Sequence, residues 1–214
     1  MYLLRHGESE FNVHFSKTRI DPGIEDPAIT DAGRAQAEAA AEHLAARGIR
    51  RVVASPYRRA LQTAAIVADR IGLGIEIEPL VRERCWFVCD VGTPASRLRS
   101  DWPSISFGDL PERWWPEIGE NEDELGVRCT AFRDKLATAE SWDDTVFVTH
   151  WAFIRGLTGL TVPNGTVLAL DRSLAGTSDP RQSPAAQAPA VQGPAVQGPA
   201  ALPLAATIVH TSQS

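Results

Sequence analysis

The feature that most restricts how this chain can fold is a repeated unit, a short apolar run followed closely by a helix with its own start and stop signals. Residues 30 to 47, TDAGRAQAEAAAEHLAAR, are rich in alanine, with Thr30 placed to cap the first turn and Gly48 just past the end. Ile49 to Val53 then forms a β-branched strand run, and Ser55-Pro56 supplies a cap and a first-turn proline for a helix through Ile71. Ile75 to Glu78 alternates like an edge strand, Thr145 to Thr149 reads as a buried strand, and Trp151 to Leu157 fits the helix after it. Alternation of this kind predicts an α/β domain.

The composition narrows the function classes. With 214 residues, 43% hydrophobic and 22% charged, the chain has the profile of one globular domain with a small appendage, and not of a coiled coil or a disordered tail. A net charge of −6 gives no general attraction to nucleic acid or an anionic membrane, so any bound anion must be held by a local pocket. No run approaches the roughly 20 apolar residues of a membrane helix, and the N-terminus lacks a signal-peptide pattern. Cys85, Cys89 and Cys129 are an odd, sparse set, which predicts free thiols in a reducing, cytoplasmic compartment. Cys85 and Cys89 are separated by three residues, but no second pair follows at zinc-site spacing, so no metal site is expected.

Between Arg84 and Gly119 the pattern loosens and holds four of the six tryptophans, which predicts a lid-like insert, residues 84–120, over the sheet edge. Trp114-Trp115 beside Pro116 is expected to anchor it. Asn121 then opens a helix with Glu124 three residues on, and Leu125, Cys129, Phe132 and Leu136 recur at helical spacing. From Ser173 the chain changes in kind: Pro-Ala-Val-Gln-Gly at 189 repeats at 194. Residues 173–204 are therefore expected to be a disordered insertion between a domain at 1–172 and a last strand and tail at 205–214, the strand being Thr207 to His210.

The chemistry-bearing residues begin after the first apolar run, Met1 to Leu4, where Arg5-His6-Gly7-Glu8 falls at the carboxyl edge at which open α/β sheets bind ligands. On its own, His6 reads as easily as a satisfied polar residue. The strings LLRHGESEFN, ITDAGRAQA, ASPYRRALQTA, RER around Glu83, GENEDELGVRCTAF and VTHWAFIRGL, in that order, change the balance. Over about residues 2 to 170 the chain resembles the histidine phosphatase (phosphoglycerate mutase-like) superfamily.

The resemblance implies a three-layer α/β/α sandwich with a mixed, mostly parallel sheet, and a metal-independent phosphatase that needs no cofactor and hydrolyses a small-molecule phosphate monoester. It assigns His6 as the nucleophile that forms a phosphohistidine, and the chemistry is sound, since a neutral imidazole is nucleophilic near pH 7 and a covalent intermediate divides one hard displacement in two. It makes Arg5 and Arg59 the phosphate clamp, for which bidentate guanidinium groups are suited, and adds Asn12 and His150 as phosphate-binding groups. The family pattern, serine, proline, two residues, arginine, alanine, selects Arg59 over Arg58, which is expected on the surface. His14 and Ser16 are expected on a loop after Asn12, with His14 exposed.

A leaving alkoxide needs a proton, and Glu83 holds the position of the family's donor, with Glu8 as the competing carboxylate. Its neighbours Arg82 and Arg84 leave open a plain surface ion pair. Two positions depart from relatives. Trp151 stands where a small residue is usual, which points to altered specificity, and Phe11 stands where mutases of the family carry tryptophan. Phosphatase is thus preferred over phosphoglycerate mutase chemistry, and over a catalytically silent binding module that would not need Arg5, His6, Arg59, Glu83 and His150 together. The acidic excess in the insert favours a monophosphate ester with an apolar or aromatic part over a polyphosphate.

Overall fold

The computed structural model describes residues 1–138 and 142–170 in full and the backbone of 206–210. The strands are β1 (Tyr2–Arg5), β2 (Arg51–Ala54), β3 (Ile75–Ile77), β4 (Thr145–Thr149), β5 (Val167–Leu170) and β6 (Ala206–His210). The helices are α1 (Glu10–Thr18), α2 (Asp31–Ala45), α3 (Arg58–Ile71), α4 (Ala95–Asp101), α5 (Glu122–Thr138) and α6 (Trp151–Thr158). One six-stranded sheet runs in the order β3-β2-β4-β1-β5-β6. Its pairs β1–β4, β2–β4 and β2–β3 are parallel, and β5 pairs antiparallel with both β1 and β6. The expected mixed, mostly parallel sheet is therefore found, while the expected insertion at 173–204 lies outside the described residues.

Strand alternation builds the two outer layers. Leu4, Val52, Val146, Val148 and Val167 face α2 and α3, whereas their neighbours Leu3, Val53, Phe147 and Leu168 face α5 and α6. Alanines let α2 and α3 approach closely: Ala37, Ala40, Ala41, Ala60 and Ala64 are all but sealed from solvent. Thr30 caps α2 as expected, its hydroxyl accepting from the Gly33 N–H at 3.0 Å. Asn121 and Glu124 likewise cap α5 reciprocally, with the Asn121 Oδ1 accepting from Glu124 N at 3.0 Å and the Glu124 carboxylate accepting from Asn121 N at 2.8 Å.

Three expectations need correction. Ser55 does not cap α3: the helix starts at Arg58 after Tyr57, and no side chain caps it. The Ser55 hydroxyl is spent instead on His150 Nε2 at 2.8 Å. His14 and Ser16 sit on α1 and not on a loop, because Ser9 and Asn12 form a capping box that nucleates a helix there; His14 is exposed as expected. The insert is more than a lid, since Ala95, Leu98, Ile105, Phe107, Leu110 and Trp114 are buried in the same core as α2 and α3. Trp114 does anchor it, with its ring edge against Tyr57 at 4.6 Å and its Nε1 donating to the Thr93 carbonyl at 2.9 Å.

Candidate active site

Register sets the site. Arg5 of β1 lies opposite Thr149 of β4, and the His6 N–H continues the ladder by donating to the Thr149 carbonyl at 2.9 Å. The two strands thus deliver His6 and His150 side by side at the carboxyl edge, with ring centroids 5.1 Å apart. Of the helices that follow these strands, α2 packs on one face of the sheet and α6, directly after β4, on the other. Such a switch point leaves a crevice in an α/β sheet, and a cavity of about 400 Å³ opens here.

The loop after β1 is held by backbone crossing. A Cβ on Gly7 would lie 2.2 Å from the Gly33 carbonyl oxygen, and one on Gly33 would lie 2.1 Å from that of Glu8, so both positions exclude any larger residue. This close approach accounts for the glycines of RHG and TDAG together. Thr63 of α3 adds a second fastening, accepting from Gly7 N at 3.0 Å and donating to the Arg59 carbonyl at 2.8 Å.

His6 is buried, with Nδ1 2.7 Å from its neighbour Gly7's carbonyl oxygen. A carbonyl only accepts, so Nδ1 carries the proton and Nε2 of the neutral ring keeps its lone pair. Burial, then the charges of Arg59 and Arg5, hold the His6 pKa well below 6.5, so the ring is neutral near pH 7. Burial, Arg59 and His6 depress His150 in the same direction. His150 is fully buried and does not border the cavity, unlike the other five residues named from the sequence. Its Nδ1 and the Nε of Arg5 are buried with no hydrogen-bond partner among the described residues.

Arg59 is buried while Arg58 is exposed, as the motif spacing requires. The Arg59 Nη1 donates to the Cys89 carbonyl at 2.8 Å and Nη2 to the Asp90 carboxylate at 2.9 Å. Burial alone would weaken its hold on the proton, but Cys89, Asp90 and Tyr57 more than reverse this and keep it charged. Arg5 donates to the Val162 carbonyl at 2.6 Å, and burial lowers its pKa to about 10 against the opposing pull of Glu83. Asn12 presents its amide to the same cavity, since its Oδ1 is occupied by Ser9 N at 3.0 Å and Asn164 Nδ2 at 3.2 Å.

Glu83 is not a surface ion pair. Arg82 pairs with Glu120 and Arg84 with Glu122, which leaves the Glu83 carboxylate to accept from Ala152 N at 3.0 Å, in the first turn of α6. Burial, then the Asp90 charge, raises its pKa above 4.5, and Arg59 opposes them. Arg128 of α5 places the segment by donating to the Leu80 and Arg82 carbonyls at 2.9 and 2.7 Å. The competing carboxylate, Glu8, is turned away to the Thr30 hydroxyl at 2.9 Å and does not border the cavity. Sequence reasoning missed Asp90, Arg128 and Asn164, whose partners Arg59, Glu120 and His6 lie 31, 8 and 158 positions away. Among the described residues no group of three His, Cys, Asp or Glu side chains could share a metal ion.

A family model described as the histidine phosphatase superfamily (branch 1) matches residues 1–175. The chain is 33% identical over 187 residues to a glucosyl-3-phosphoglycerate phosphatase of Mycolicibacterium vanbaalenii, covering 78% of each chain. It is 29% identical to a probable phosphoglycerate mutase GpmB of Yersinia enterocolitica, covering 70% of this chain and 68% of that one. Among solved structures, a mycobacterial glucosyl-3-phosphoglycerate phosphatase in complex with VO3 is 25% identical with a TM-score of 0.54, matching 81% of this chain and 92% of that one.

Proposed function

Because the chain belongs to the histidine phosphatase superfamily, we propose that it is a metal-independent phosphatase that hydrolyses a small-molecule phosphate monoester through a phosphohistidine at His6. The observation that carries this reading is the tautomer: with Nδ1 tied to the Gly7 carbonyl at 2.7 Å, the neutral ring keeps Nε2 as its nucleophilic nitrogen, on a residue lining the cavity beside Arg5 and Arg59.

In the first step Nε2 attacks phosphorus, an N–P bond forms and the P–O bond to the leaving group breaks. Arg5, Arg59 and the Asn12 amide hold the phosphoryl oxygens, and the partnerless buried Nε of Arg5, a residue lining the cavity, supports a site completed by an oxyanion, while His150 acts from behind His6 with its ring centroid 5.1 Å away. Glu83, kept protonated more readily than an ordinary carboxyl, gives its proton to the departing alkoxide. In the second step the Glu83 carboxylate takes a proton from water, the water oxygen attacks phosphorus, and the N–P bond breaks to release phosphate and restore His6. The free, buried thiols of Cys85, Cys89 and Cys129 support a reducing, cytoplasmic setting.

The test is hydrolysis of an aryl phosphate with EDTA present, beside His6→Ala. Turnover that survives EDTA, disappears in the variant, and leaves an acid-labile, base-stable phosphoryl label on His6 is the expected result. Its absence in the intact protein overturns the reading. The relatives named as probable mutases favour a second one, and 2-phosphoglycerate formed from 3-phosphoglycerate without release of phosphate would establish it.

A further inference from the structure

The inner end of the cavity is polar, but its outer wall is aromatic. Phe11, Phe15 and Phe87 form a ring cluster with centroids 5.0 to 5.4 Å apart, and Trp86 and Trp151 complete the lining. Trp86 is 45% exposed and Trp151 39%, the two exposed aromatic residues among the large apolar side chains that the described residues leave in solvent. Each Å² of apolar surface withdrawn from water is worth roughly 25 cal/mol, so indoles left at a cavity mouth mark a surface meant to be covered.

Each ring is packed against a cation, one from the cavity lining and one from beyond it. The Arg84 guanidinium lies over the Trp86 ring at 4.6 Å and that of Arg155 over the Trp151 ring at 5.2 Å. One carboxylate, that of Glu122 on α5, binds both cations, pairing with Arg84 and accepting from Arg155 at 2.7 Å. One face of each indole is therefore occupied by a fixed cation, and the other is left for a ligand. The cavity volume of about 400 Å³ is near the lower end of small-molecule sites. That accommodates a phosphate and one ring system.

We propose that Trp86 and Trp151 form a leaving-group subsite for the aromatic body of a phosphate monoester, with Glu122 as a positioning residue that acts through Arg84 and Arg155. The proposal rests on the phosphatase reading of the inner cavity and names the substrate class for it. Aromatic stacking on pinned rings is worth about 0.5 to 1.5 kcal/mol per pair beyond area burial, which corresponds to about a 2- to 12-fold effect for each indole.

The test compares benzyl phosphate with glycerol 3-phosphate and 3-phosphoglycerate, all esters of alkanols, so that leaving-group acidity does not imitate recognition. The intact protein is expected to favour benzyl phosphate in kcat/KM by at least about 10-fold. Trp86→Ala and Trp151→Ala should each lose about 5-fold of this through KM, with glycerol 3-phosphate changed by less than about twofold. Glu122→Gln should raise KM for benzyl phosphate alone and leave kcat unchanged. A preference for either non-aromatic ester that survives both tryptophan variants overturns the subsite while leaving the phosphatase reading intact. If no ester is turned over, the phosphatase reading fails, and calorimetric titration with benzylphosphonate and methylphosphonate still decides the subsite. Equal affinities, or tighter binding of benzylphosphonate that both alanine variants retain, overturn it.

Discussion

Asp90 binds Arg59 at 2.9 Å with both side chains at most 3% exposed, so the cation proposed to clamp phosphate is itself clamped from the insert. The other Asp90 oxygen accepts from Trp86 N at 3.1 Å and Phe87 N at 3.0 Å, which ties the aromatic wall to the same carboxylate. Removing one partner of a buried pair leaves the other charge uncompensated, at a cost of about 3–5 kcal/mol. Asp90→Ala is accordingly expected to lower unfolding stability by about that amount in denaturant titrations. Asp90→Asn keeps an acceptor for Arg59 and removes the charge that helps to raise Glu83, so the Glu83 pKa should fall. The basic limb of the kcat profile should then move to lower pH. A limb that stays in place would show that Asp90 acts on Arg59 alone.

Glu83 is predicted to be needed in proportion to how poorly the alcohol leaves. Glu83→Gln should reduce kcat for an alkyl phosphate by about 10²- to 10⁴-fold, and should have a much smaller effect on an aryl phosphate whose phenolate departs without a proton. Since the acid form is the active one in the first step and its pKa is raised, activity should decline as pH rises through the folded value. Glutamine cannot titrate, so this decline should vanish in the variant. Equal losses on alkyl and aryl esters would remove Glu83 from the proton-transfer role.

Much of this arrangement was legible in the sequence because it is carried by local patterns. Alternation over Thr145–Thr149 and the Thr30 cap mark β4 and α2, and the RHG string places His6 just after β1. The serine, proline, arginine spacing distinguishes buried Arg59 from exposed Arg58. What was illegible depends on contacts across the fold. Ser55 has the residue type of a helix cap, but β2 ends beside β4 and its hydroxyl is claimed by His150, 95 positions away. For Glu83, placed by its motif as the proton donor, the alternative of a surface ion pair stayed open in the sequence, and only the pairing of Glu120 and Glu122 with both neighbouring arginines closes it. Asp90 has no motif of its own, and only the folding of the insert back onto α3 reveals it.

The crossing of Gly7 and Gly33 gives a prediction about rigidity. A methyl group on Gly33 would come within 2.1 Å of the Glu8 carbonyl oxygen, which is backbone and cannot rotate away. Overpacking in a core costs about 1–3 kcal/mol, and a backbone obstacle places this substitution at or above the upper end. Gly33→Ala should therefore lower Tm and, by displacing the loop that carries His6, reduce kcat more than it raises KM. Unfolding monitored by circular dichroism, alongside steady-state kinetics, checks both. A variant with unchanged Tm would mean that α2 and the loop can separate freely.

Protonation of His6 and His150 supplies the remaining prediction. Both are buried neutral, with pKa values well below 6.5. As pH falls through 6.5 the unfolded chain takes up protons that the folded chain does not, so the stability these residues contribute is present above 6.5 and is lost towards the depressed folded values. Glu83 and Asp26, whose pKa values are raised above the usual carboxylate values, act in the opposite sense: their contribution is present at low pH and is lost as pH rises through the folded values. His6→Asn should consequently flatten the fall of unfolding free energy below pH 6.5, and the ring proton shifts of His6 and His150 should stay at neutral-ring positions as pH passes 6.5. Titration of either ring near 6.5 would contradict the burial argument and remove the basis for a neutral nucleophile.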